Sequence, residues 1–131
     1  MSFMKLPIAF LTALTLLLSL GWASCEKESK RDYLAEADCS NIDPIANTYT
    51  FAVKNILDNT CALSGCHDAA TKSNGNDFST YATAKVAFQT QDVLCAINHG
   101  EGCEPMPKGG TKLPTLTLNV LACWAKNGYP E

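Results

Sequence analysis

The stretch CALSGCHD, residues 61–68, sets two cysteines five positions apart, with Gly65 directly before the second and His67 directly after it. Three chemistries use such a cluster. It is a disulfide beside an idle histidine, part of a metal site, or a covalent clamp on a cofactor whose axial base is the histidine. The choice depends on what surrounds it in the chain.

Working outward, five further cysteines appear: Cys25, Cys39, Cys95, Cys103 and Cys123, seven in 131 residues. So many in a short chain point to an oxidising compartment. The leader agrees. Residues 1–24, MSFMKLPIAFLTALTLLLSLGWAS, carry one charge at Lys5, then an apolar run, then the small pair Ala23 and Ser24 before Cys25. That is the layout of an export signal peptide. A run from Leu6 to Trp22 is about long enough to span a bilayer, so an uncleaved anchor is the rival reading. Small residues before a cysteine favour cleavage, and the arrangement resembles the bacterial lipoprotein pattern. There the new N-terminal cysteine, here Cys25, receives lipid and ties the domain to a membrane, on the periplasmic side or at the cell surface.

Cleavage before Cys25 leaves 107 residues, 131 less the 24 removed, enough for one compact domain. With Lys5 gone, the formal charge passes from −3 to −4. Charge therefore draws the domain to neither nucleic acid nor an anionic lipid surface. Once Cys25 is set aside for lipid, six cysteines remain, and each needs a partner in an oxidising compartment.

Residues 25–46 are charged at first and poor in large apolar residues, which reads as a tether. The domain proper, 47–131, opens with YTFAVKNILDN, 49–59. Phe51, Val53, Ile56 and Leu57 there lie near helical spacing, with Thr48 or Thr50 as cap. This first helix runs into the cysteine motif. AATKSNGND, 69–77, is a loop. A helix is predicted over 78–89, capped by Ser79 or Asp77, and another over 90–100, capped by Thr90 and ended by Gly100. Three prolines and three glycines keep 101–114 irregular. A last helix starts near Thr115, lines up Leu118, Leu121 or Ala122, and Trp124, and stops at Gly128; a short strand from Leu116 to Val120 is the lesser alternative. The fold class is all-α: about four short helices with long loops, which in so small a domain usually wrap something.

A c-type haem is held when two thiols add to its two vinyl groups and a histidine directly after the second cysteine binds the iron. The standard motif is C-x-x-C-H. Here Cys66 and His67 are adjacent, but four residues separate the thiols. Since the vinyl separation is constant, the two extra residues must bulge outward, which Gly65 makes easy.

At these residues the chain resembles a family, the small monohaem cytochrome c domains of exported bacterial proteins, including lipoproteins with a C-x-x-x-x-C-H motif. The resemblance covers about 47–130. It rests on ILDNTCALSGCHD (56–68), DFSTY (77–81), the cysteine pair of LCAINHGEGC (94–103), EPMPKGG (104–110) and CWAKNGYP (123–130). It implies a cytochrome c-like fold, covalent haem at Cys61 and Cys66, His67 as proximal ligand of the iron, Met106 as distal ligand, and electron transfer to redox partner proteins. Met106 is also the only methionine after the leader, in an irregular loop between two prolines. His99, in a Gly-flanked turn, is the alternative distal ligand. His/Met ligation raises the reduction potential over bis-histidine ligation, because a thioether favours ferrous iron.

Four cysteines then remain, with three possible pairings. Cys95 with Cys103 is a trait of the family and would hold the approach to Met106. Cys39 with Cys123 follows by elimination and ties the tether to the last helix, worth roughly 3 to 4 kcal/mol. Against the haem stand a plain Cys61–Cys66 disulfide in a cofactor-free, disulfide-stapled binding or structural lipoprotein, and a zinc site on Cys61, Cys66, His67 and Cys95 or Cys103. Lys108 and Lys112 read as solvated loop lysines, and Phe51 and Trp124 as packing between first and last helices. With two histidines in all, no Ser/His/Asp or Cys/His nucleophile assembles. The expected role is a one-electron carrier and not an enzyme.

Overall fold

The computed structural model describes residues 32–131, and all regular structure among them is helical. The leader 1–24 and Cys25 lie outside the described residues. Four α-helices follow one another: α1 (Lys54–Thr60), α2 (Tyr81–Thr90), α3 (Val93–Ile97) and α4 (Thr115–Lys126). A π-helical turn, Tyr49–Val53, leads into α1, and a 3₁₀ turn, Ser73–Gly75, breaks the loop between α1 and α2. No described helix is long and apolar enough to cross a membrane.

Thr48 starts the first helical segment, its hydroxyl accepting from the Phe51 N–H. Hydrogen bonds then reach five residues back, from Val53 to Thr48 and from Lys54 to Tyr49. Tyr49, Val53 and Leu57, four apart, form the buried edge. Phe51, predicted to pack against the last helix, is instead 82% exposed. The reason is angular. It stands two residues from both Tyr49 and Val53, roughly half a turn away at about 3.6 residues per turn. Tyr49 takes the inward place, its ring centroid 6.1 Å from that of Trp124 and 5.4 Å from that of Tyr81.

The boundaries of α2 and α3 also depart from the pattern. Thr80, not Ser79 or Asp77, caps α2 by accepting from the Thr83 N–H. Asp77 instead accepts from the Ser79 N–H and hydroxyl, a turn that leaves Phe78 buried ahead of the helix. Thr90 is the last residue of α2 rather than the cap of α3. α3 has only five residues. It ends before Gly100 because His99 takes a left-handed φ of 53° and the Gly100 N–H turns back to the Cys95 carbonyl.

α4 follows the predicted spacing and buries Leu118, Leu121, Ala122 and Trp124; residues 116–120 are helical, not a strand. Trp124 is the centre of the core, fully buried, with its ring 5.4 Å from Phe88 and 5.0 Å from Tyr129 between centroids. The Pro130 carbonyl accepts from both the Trp124 indole N–H and the Tyr49 N–H, each at 2.8 Å, and so ties the chain's end to the first helical segment. A Cys39–Cys123 disulfide fastens the segment before the domain to α4 across 84 positions.

Candidate functional site

The cysteine loop begins where α1 ends, with the Cys61 N–H on the Leu57 carbonyl. Residues 63–66 make a tight turn: the Cys66 N–H donates to the Leu63 carbonyl at 2.9 Å, and Gly65, at φ 80°, holds the position where a turn of this kind demands glycine. The His67 N–H then returns to the Cys61 carbonyl at 3.2 Å. The extra residues of the spacer are absorbed in the turn, so Cys61 and His67 stay bonded through their backbones.

Asp68 holds this loop in shape. Its carboxylate accepts from the N–H groups of Gly65 (2.9 Å), Ala70 (2.7 Å) and Thr71 (2.8 Å) and from the Thr71 hydroxyl (3.0 Å). The N–H groups of Thr71 and then Ala70 do most to keep the carboxyl below its ordinary range. His67 is oriented in turn by Nδ1, 3.3 Å from the Asn76 carbonyl, and by Phe78, whose ring lies edge-on at 5.1 Å between centroids. With the proton on Nδ1, this contact leaves Nε2 carrying the lone pair, as a ligating imidazole requires.

Met106 is held from α3. Its N–H donates to the Ala96 carbonyl at 3.0 Å, and its carbonyl lies 3.1 Å from His99 Nε2. A Cys95–Cys103 disulfide closes the loop between. Half-buried, Met106 packs against the edge of the core.

Between the two loops opens a cavity of about 600 Å³, lined by Cys61, Cys66, His67 and Met106 over an apolar floor that includes Phe78, Val93, Ile97 and Leu113. That volume lies within the range of roughly 300–1,000 Å³ usual for cofactor sites. His99 is not among the lining residues. Lys108 stands at the rim in an ion pair with Glu104 at 2.7 Å, both well exposed.

Cys61 and Cys66 are thiols, unbonded to each other; the first is half-buried and the second exposed. Burial pushes the Cys61 thiol above its ordinary range, the Thr60 hydroxyl 3.3 Å away draws it partly back, and Cys66 nearby adds a further upward push. A zinc site would need Cys95 or Cys103, which are bonded to each other. Among the described residues no three His, Cys, Asp or Glu side chains gather for a metal ion. Two thiols, an imidazole and a thioether stand among the groups that line the cavity.

Sequence alone assigns no role to Asp68 or Phe78, although both lie in the stretches CALSGCHD and DFSTY, nor to Asn76. Asp68 carried a usable signal, since an Asp side chain readily accepts from backbone N–H groups two residues ahead and so forms turns. Asn76 acts through its carbonyl, which every residue type supplies, and so carried none. No family model, no curated protein and no solved structure matches the chain.

Proposed function

We propose that this protein is a monohaem c-type cytochrome, a one-electron carrier between redox partner proteins. The observation that carries the reading is the convergence of Cys61, Cys66, His67 and Met106 on one cavity of about 600 Å³. Four short helices joined by long loops are compatible with a cytochrome c-like fold. Cys61 and Cys66 would hold the haem by thioether bonds, each S–H adding across a vinyl C=C without net oxidation or reduction. His67 Nε2 and the Met106 sulfur would ligate its iron. When bound, the haem supplies an Fe(III)/Fe(II) couple, and the thioether of Met106 favours its ferrous side. Phe78, Val93, Ile97 and Leu113 exclude water from the cavity floor. The reading includes export under the leader 1–24 and a lipid tether at Cys25 to a bacterial membrane, both supported by the sequence.

The two disulfides suit a cofactor-free stapled lipoprotein as well. Two thiols left unpaired at one cavity favour the haem. A pyridine haemochrome spectrum of the full chain, produced with a cytochrome c maturation system, tests this. The expected result is the α band of a haem with two thioether bonds; in the native ferric protein, before pyridine is added, a methionine-to-iron charge-transfer band should be present and should be lost in Met106→Ala. Absence of haem where a control cytochrome matures overturns the reading.

A further inference from the structure

The Met106 loop is short of its own hydrogen-bond donors. Pro105 and Pro107 flank the methionine and neither has an N–H. Beside the packing of its side chain against the core and the turn that the Gly110 N–H closes on Pro107, Met106 is held by hydrogen bonds to its own two backbone groups. Both are gripped, and from one direction: Ala96 in α3 accepts from the N–H at 3.0 Å, and His99, in the turn that ends α3, meets the carbonyl at 3.1 Å through Nε2.

His99 is itself held for this. Its left-handed backbone, φ 53°, is closed by its N–H on the Ala96 carbonyl at 3.1 Å and by the Gly100 N–H on the Cys95 carbonyl at 2.9 Å. The bare face of Gly100 lets Tyr33 lie against the same turn, where a Cβ would collide with the Tyr33 hydroxyl and approach Cys95 Sγ to 2.9 Å. The Cys95–Cys103 bond then joins the turn to the chain three residues before Met106. Such a frame is more than a solvated loop histidine needs.

Resting on the haem reading, we propose that His99 is a positioning residue. With its proton on Nε2 it donates to the Met106 carbonyl and keeps the thioether directed into the cavity, where it competes with exogenous ligands for the sixth site. The imidazole that rivals Met106 as a ligand serves it instead.

The test uses the haem-loaded full chain and carbon monoxide as probe of the ferrous sixth site. His99→Gly removes the donor while a glycine keeps the left-handed φ without strain; His99→Gln returns an N–H donor at similar reach. Loss of one hydrogen bond shifts the equilibrium between bound and released Met106 by roughly five-fold. His99→Gly is thus expected to bind carbon monoxide about five-fold more tightly and to lose the methionine-to-iron band at a lower temperature. His99→Gln should recover most of both. A purely structural role would lower the global unfolding midpoint equally in both variants, without rescue of the affinity. Unchanged carbon monoxide affinity and band in His99→Gly, on a wild type that shows the band, overturns this inference alone. A wild type that takes up no haem overturns the haem reading and the inference with it.

Discussion

Trp124 and Met106 are each fastened to a carbonyl or N–H by hydrogen bonds and each lie near a disulfide, yet their surroundings are of opposite kinds. Around Trp124, rings from the π-turn, from α2 and from the chain's end close in until nothing is exposed. The Cys39–Cys123 bond there joins segments 84 positions apart. Around Met106 the walls are loops, the helix beside it has five residues, and the Cys95–Cys103 bond spans only eight positions. Apolar area removed from water stabilises the first region. The second leaves an open volume, so its order rests on individual hydrogen bonds and one local cross-link. A fold of this size has one region to hold it together and another free to take a ligand.

That contrast can be broken by experiment. Trp124→Ala should lower unfolding free energy most, by about 3–5 kcal/mol; a loss in urea unfolding as small as that of a surface residue would mean the core lies elsewhere. Replacing Cys39 and Cys123 together by Ser is expected to remove about 4 kcal/mol, and replacing Cys95 and Cys103 about 2.5 kcal/mol, since closing the longer loop restricts the unfolded chain more. The reverse order would show that the Met106 side carries the fold.

A smaller effect belongs to Asp77. The Ser79 hydroxyl and N–H, and then Lys72, hold its carboxyl below the ordinary value of 3.8. Because the folded pKa lies below the unfolded one, the stabilisation is present in full above the unfolded value and fades as pH falls through the folded one. Asp77→Asn should therefore be less stable than wild type at neutral pH, with the gap closing at and below about pH 3.8; a gap that persists into stronger acid would assign it to something other than the charge. Smallest of all is Phe51→Ser, expected to change stability by no more than about 0.5 kcal/mol. A change of several times that in thermal unfolding would show that the exposed ring is covered.

Much of this was legible in the chain. α4 could be read because Leu118, Leu121, Ala122 and Trp124 repeat at helical spacing and Gly128 follows, all of it local information. The stretch DFSTYAT offered several cap-capable side chains in a row, and burial of Phe78 decided for Thr80. The early end of α3 depends on His99 and Gly100 meeting Cys95, Tyr33 and Met106, contacts that no window of sequence displays. At the candidate site, Cys61, Cys66 and His67 stood out by adjacency and Met106 by its uniqueness; the groups that orient them, Asp68, Asn76 and His99, act through ordinary polar contacts.

The all-α class, the order of the helices and the cysteine-histidine cluster were determined by the sequence itself, because periodicity, caps and breakers act over a few residues. Which of three cysteine pairings forms, whether Tyr49 or Phe51 turns inward, and what His99 grips were decided only by the tertiary structure. Each of those outcomes depends on bringing together residues far apart in the chain, and local free energies nearly balance until burial and geometry choose between them.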